Sequence, residues 1–420
     1  MCFSKNMEKY TDLRIDIERL RKDLQELSKI GYDPETRGIN RIGLSKADYE
    51  GRLWLMEQFK SLGLKPYMDG ACNVICRYGD SDKPAVMMGS HLDTVPNGGI
   101  FDGSLGVMSA YECMRVIKEN NIKLSHPIEV IATSEEEGRF GGMFGVQALC
   151  GKVSPDWLES VKDNNGIALK DELINLGLDP MEALNAYRDP RQIKAFLELH
   201  IEQGPVLDSM HRSIGVVEGI SGVFDWSVRL IGEANHSGTT PMNARKDAFL
   251  ALSDFAHEFS RIISEDGSED SRLTIGKIEL KPGFSHVVPG EVVFTLNGRD
   301  PSEEVMHNLA NSCRKVLSSI ARETQLMFEY EEKSWLSPTD CSKSIAKVFE
   351  SNAKKLGYDP HRMPSGAGHD AQFMSEVTDA GIIFVPSVRG ISHSPKEWTN
   401  WPDIEKGTNV LLHSCLQLAK

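Results

Sequence analysis

The sequence predicts an α/β protein of two domains, a sheet with helices on its faces and a smaller ferredoxin-like domain inserted into it. Three observations carry this. The chain has 420 residues, 40% of them hydrophobic and 26% charged, which is long for one core and ordinary for a globular pair. Strand-like and helix-like stretches alternate through the first part, the rhythm of a layered α/β sheet. Near Ile214 the rhythm changes to βαββαβ, and after Ser337 it changes back.

Each element has its own signal. Leu13, Ile17, Leu20, Leu24 and Leu27 recur at helical spacing within residues 12–31, an amphipathic opening helix. "AVMMGS" is an apolar run bounded by Lys83-Pro84 and a polar stretch, a buried strand. The following "SHLDTVPNGGIFDG" holds Pro96, Gly98, Gly99 and Gly103, too many turn formers for a helix. A helix is expected from Gly106 to Asn120, then the strand "PIEVIAT". The second pattern runs through "DWSVRLIGE" (strand), "ARKDAFLALSDFAHEFSRIISE" (helix), "RLTIGKIEL" and "EVVFTLNGRD" (strands), "SEEVMHNLANSCRKVLSSIARET" (helix) and "LMFEYEEKSW" (strand). The expected domains are therefore 1–213 with 336–420, and 214–335 as the insertion.

Charge narrows the function. A net charge of −14, from 47 basic and 61 acidic residues with no basic run, argues against nucleic acid and anionic membranes as partners. The opening residues are too charged for a signal peptide, and no window is long and apolar enough to span a membrane. Eight cysteines are scattered without a CxxC pair, as in reduced cytosolic thiols. A cytoplasmic protein is expected.

The chemistry sits where strands end, which is where open α/β sheets place their ligands. His91, Asp93 and Asp102 follow "AVMMGS", and "SEEEGRF" follows "PIEVIAT". Three adjacent glutamates repel one another unless a cation compensates. His200, His236, His369 and His393 lie beside glycine, serine or proline, as in loops at strand ends. Taken singly, a loop histidine is more often a surface or hydrogen-bonded side chain, and an acidic run such as Glu135–Glu137 more often a solvated helix start. Their joint placement points to a metallohydrolase. Spacing carries the reading no further.

The stretches "GSHLDTVPNGGIFDGSLGV", "EEEGRF", "ELHIEQGPVL", "GEANHSGTTPM", "SGAGHDAQ" and "GISHSPKEWT" closely resemble the N-carbamoyl-L-amino-acid hydrolase and allantoate amidohydrolase family, a branch of the di-zinc aminopeptidase-like clan. The resemblance runs from about residue 40 to the C-terminus. It implies a parallel-rich catalytic sheet, an inserted dimerisation domain and two divalent metals per subunit, zinc or manganese, with cobalt or nickel as further options. It implies that His91, Asp102 and His200 hold one metal, and that Asp102, Glu137 and His393 hold the other, Asp102 bridging. Asp93 would orient His91, Glu136 would be the general base and Glu135 a spectator. His236 would be the oxyanion donor, contributed to a partner subunit's site in a homodimer. Arg299 would grip the substrate carboxylate, with Gln203 and Gly368 also touching substrate.

The resemblance implies hydrolysis of the carbamoyl C–N bond of an N-carbamoyl-L-amino acid, releasing amino acid, carbon dioxide and ammonia. Alternatives are an allantoate-type amidine hydrolase, a peptidase or deacylase of the same clan, and a silent binding protein, which would have lost a ligand or Glu136. Three departures bear on substrate. His286 stands where the family usually has asparagine, Val223-Phe224 where many members have Gln-Arg, and a residue is missing between Gly138 and Arg139. His286, thirteen residues before Arg299, is expected to face the same substrate end.

Overall fold

The computed structural model describes Tyr10 and residues 12–420. Contacts divide them into two units, residues 1–218 with 340–363 and 368–420, and residues 219–339 with 364–367. The crossings fall a few residues later than the sequence suggests. The strand Gly215–Ile220 still pairs with Ala380–Val385 of the first sheet, and its backbone hydrogen bonds hold it there.

The first unit is built on a nine-stranded sheet among the described residues. Four central strands, Ile128–Thr133, Ala85–His91, Ile193–Ile201 and Ala380–Val385, lie side by side and parallel. Ala85–His91 and Ile128–Thr133 are buried at every position, as strands covered on both faces must be. The helices Ile17–Leu27, Lys46–Ser61, Ser104–Glu119, Lys343–Lys355 and Trp401–Ala419 share one apolar core with this sheet. In the opening helix, Leu20, Leu24 and Leu27 are the buried stripe, each stabilising by about 1.5–3 kcal/mol.

The second unit carries an antiparallel sheet ordered Ile278–Lys281, Glu291–Asp300, Gly222–Ile231, Met327–Leu336. With its two helical crossovers this is the ferredoxin-like order the sequence predicts. Alternate residues of Gly222–Ile231 and Glu291–Asp300 are buried, against a core that includes Phe255, Leu309 and Leu317 from its helices. Two elements differ from expectation. The first helix begins only at Ala248, where Asp247 accepts the Phe249 and Leu250 N–H groups, and it breaks at Glu258 before Phe259–Asp266. "RLTIGKIEL" becomes two short strands, because Ile275–Lys277 bulge out opposite Thr295-Leu296.

Candidate metal centre

The four parallel strands point their C-terminal ends the same way, and each delivers a ligand candidate. His91 is the last residue of its strand and pairs in register with Thr133, immediately before the glutamate loop. His200 pairs with Phe384 near the end of the next two strands. His200 therefore lies on a strand, not in the loop the sequence suggests, and His393 sits in a loop beyond Val385.

Among the described residues three groups converge within metal-ligating reach: His91, Asp102 and His200; Asp102, Glu137 and His393; and His91, Glu136 and Glu137. Asp102 is the hub. Its Oδ1 lies 3.5 Å from His91 Nε2 and 3.2 Å from His200 Nε2, and its Oδ2 lies 3.2 Å from His393 Nε2. Glu137 Oε2 is 3.5 Å from His393 Nε2, and Glu136 Oε2 is 3.8 Å from His91 Nε2. The ring orientations follow from the far nitrogens. His91 Nδ1 meets the Asp93 carbonyl at 3.0 Å, and His200 Nδ1 the Ile201 carbonyl at 2.8 Å. A carbonyl only accepts, so both Nδ1 atoms carry the proton and both Nε2 lone pairs face inward.

Asp93 works differently from the expectation. Its backbone carbonyl, not its carboxylate, orients His91; the carboxylate accepts the N–H groups of Glu136 and Glu137, each at 3.2 Å. Behind it lies a buried ionic chain that sequence reading missed. Ser45 caps the Lys46–Ser61 helix, and Asp48 pairs with Arg52 at 2.9 Å, which stands 3.9 Å from Asp93. Arg52 also donates to the Cys72 and Ala132 carbonyls. A second buried arginine, Arg41, donates to the Leu92 carbonyl and to Ser104 Oγ, bracing the ligand loop at both ends. Nothing local separates these arginines from surface ones. Glu135 is buried and accepts the Phe140 N–H, so it anchors the glutamate loop.

Charge is strongly redistributed here. Burial opposes the ionised form of Asp102, but the imidazoles of His200, His393 and His91 gathered around it outweigh burial and hold Asp102 well below the carboxylate range. Burial, with Glu137, Asp370 and Asp93 adding to it against His91, pushes Glu136 well up. Burial and Asp102 raise Glu137 to about 7, and the Asp102 hydrogen bond raises His393 to about 9. His369 does not join the ligands. It packs edge-on against His200 at 4.6 Å, and burial, then His200, drives it well below the usual imidazole value.

The residues fit a divalent cation. Asp102 Oδ1 and Glu137 Oε1 are buried without a hydrogen-bond partner, an arrangement that is costly unless something positive meets them. Three imidazoles with carboxylates are the donor set of borderline and harder divalent ions. Beside Glu137 opens a cavity of about 460 Å³, lined among others by Lys46, Thr94, Pro96, Arg139 and Asn165, within the range of small-molecule sites. Gln203 lies at the cluster, its amide donating to Asp102 Oδ2 at 2.9 Å. Gly368 packs on Met143, where a Cβ would come within 3.0 Å of Met143 Cε.

The second unit holds the remaining candidates. His236 lies in a two-stranded ribbon opposite Val287, and its Nδ1 accepts the Gly238 and Thr239 N–H groups at 3.0 and 3.2 Å. The neutral ring thus carries its proton on Nε2, as an outward donor. His286 belongs to the same ribbon, its carbonyl accepting the Ser237 N–H. Arg299 lies at the other end of the sheet, opposite Val223, and donates to the Gly366 carbonyl at 2.8 Å. Ile231 pairs with Glu291 at one end and Val223 with Arg299 at the other, so roughly 27 Å of strand separates the ends. Within one chain, His286 is not at the Arg299 end. The sequence expectation is corrected there, because the chain reverses at residues 282–286 and spends Val287-Val288 on the His236 ribbon. Phe224 is core, stacked on Trp335 at 5.7 Å.

Comparison with known proteins agrees with this arrangement. The model of peptidase family M20/M25/M40 matches residues 87–417. The chain is 38% identical over 410 residues to an N-carbamoyl-L-amino-acid amidohydrolase of Pseudomonas sp. (strain NS671), covering 96% of this chain and 98% of that one. It is 34% identical to the allantoate amidohydrolase of Escherichia coli (strain K12), covering 96% and 98%. A crystal structure of a hydantoinase/carbamoylase family amidase from Burkholderia multivorans superposes with a TM-score of 0.89 at 33% identity, covering 97% and 98%. From fold, converging ligands and full-length likeness alike, the chain belongs to peptidase family M20/M25/M40, among its hydantoinase/carbamoylase amidases.

Proposed function

We propose that this protein is a metal-dependent amidohydrolase that cleaves the carbamoyl C–N bond of an N-carbamoyl-L-amino acid, using two divalent ions, zinc or manganese. The observation that carries the reading is Asp102, whose two carboxylate oxygens each face imidazoles of a different ligand group while Oδ1 stays unpartnered. Bound divalent ions would polarise the substrate carbonyl and acidify a water. Glu136, beside His91 and tied through its backbone to Asp93, takes the proton from the water and returns it to the leaving nitrogen. His236 Nε2–H donates to the oxygen that becomes anionic. Arg299 takes the substrate carboxylate, a role suited to a planar fork of donors.

The proposal includes a homodimer. The roughly 27 Å of strand between the His236 and Arg299 ends of one small domain is too long for one small substrate to bridge. It supports a substrate gripped by Arg299 of one chain and His236 of the partner subunit. The seven cysteines among the described residues are all free, and no described helix is long and apolar enough to cross a membrane; we place the protein in the cytosol.

An allantoate-type substrate is the second reading, favoured by the full-length likeness to allantoate amidohydrolases. Ammonia release across N-carbamoyl-L-amino acids, allantoate, ureidoglycolate and dipeptides decides between them. The highest kcat/KM is expected on an N-carbamoyl-L-amino acid, abolished by chelator and restored by Mn2+ or Zn2+. Activity on dipeptides alone, or activity indifferent to chelation, would overturn the proposal.

A further inference from the structure

Asp102 and His393 are separated by nearly three hundred residues, yet their ligand atoms stand 3.2 Å apart. One side chain joins the two segments that carry them. Glu397 is buried, at 4% exposure. Its Oε1 accepts the Phe101 N–H at 3.0 Å and the Asp102 N–H at 3.1 Å, and its Oε2 accepts the Ser392 hydroxyl at 2.9 Å. Ser392, next to His393, also reaches Asp102 Oδ2 at 3.3 Å. The fit is close on the loop side too: a Cβ at Gly99 would overlap the Glu397 carboxylate. The backbone beside it is held by rings, Phe101 packing edge-on against both Trp398 and Trp401 at 5.6 Å.

We propose that Glu397 is a positioning residue for the metal centre, one carboxylate that sets the spacing of Asp102 and His393 by holding the backbone of one and the neighbour of the other. The inference rests on the metal-site reading above. Its physical basis is that ligands on two separate loops fluctuate independently unless a shared partner couples them, and such partners commonly govern metal affinity by 10–100-fold. Removing the carboxylate leaves two buried N–H groups without an acceptor, so the Asp102 loop relaxes and the pair opens. Glutamine can replace it: its oxygen accepts both N–H groups, while its amide donates to Ser392 Oγ and frees that hydroxyl for Asp102.

The test is calorimetric titration of the full-length protein, stripped of metal, with Mn2+ alone. Wild type is expected to take two ions. Glu397→Ala should weaken at least one of them by about 10–100-fold, and Glu397→Gln should recover to within a few-fold. Thermal unfolding in chelator monitors the fold. If Glu397→Ala does not fold, Ser392→Ala, which cuts only one arm, should show a smaller loss in the same direction. Two ions bound by Glu397→Ala as tightly as by wild type would overturn the positioning role alone. Wild type that binds no divalent ion would overturn the metal reading itself.

Discussion

Gly103 offers the sharpest test of how backbone shape serves the metal centre. It sits between Asp102 and the Ser104–Glu119 helix at φ +62° and ψ −51°. There the Asp102 carbonyl accepts the Ser104 N–H at 2.6 Å, a three-residue turn of the hand that is strained for any side chain. Holding alanine in such a conformation costs about 1–3 kcal/mol. The Cβ would also overlap the His91 ring at Cε1 and Nδ1, and regaining ordinary contact means moving that ring by about 1 Å. At about 2–4 °C per kcal/mol in sizeable domains, Gly103→Ala should lower the unfolding midpoint by roughly 2–12 °C. A ligand displaced by about 1 Å should cost on the order of 10²-fold in turnover. Metal content after dialysis and kcat on the best N-carbamoyl amino acid measure the second effect. Gly177→Ala is the control, since its φ is +80° but an added Cβ meets nothing; it should lose stability and keep metal and turnover. A Gly103→Ala protein with wild-type metal content and kcat would refute the claim that this turn sets the His91 ring.

Further outcomes separate the residue roles. Glu136→Gln should keep its metal and lose orders of magnitude in kcat with little change in KM, whereas Glu137→Gln should lose metal; the reverse pattern on metal analysis would shift the glutamate register by one. Mixing inactive His91→Ala with inactive His236→Ala chains should restore partial activity, and no recovery despite demonstrated subunit exchange would argue against shared sites. His286 shares the His236 ribbon, so His286→Asn should move preference from acidic toward neutral N-carbamoyl amino acids, mainly through KM. Unchanged relative kcat/KM across the two classes would remove His286 from specificity.

Much of this protein is legible in contiguous residues. Strand runs such as "AVMMGS", the βαββαβ series and the polar loops after strands are local patterns, and local backbone preference with burial periodicity is what makes them. His91, Asp102, Glu137, His200 and His393 could be named because the motifs that hold them resemble those of the carbamoylase and allantoate amidohydrolase family; placement beside strand ends pointed only to a metallohydrolase, and His200 itself lies on a strand. What tertiary structure alone decided is how those motifs are held. The use of the Asp93 carboxylate on the Glu136 and Glu137 amides, the approach of Arg52 to Asp93 behind it, and the hold of Glu397 on the Asp102 backbone depend on groups brought together from distant parts of the chain, Arg52 from the second helix and Glu397 from near the C-terminus. The reversal that parts His286 from Arg299 is equally invisible locally, since thirteen residues of sequence can fold back or extend. A buried polar group must find a partner, and only the packed chain determines which one.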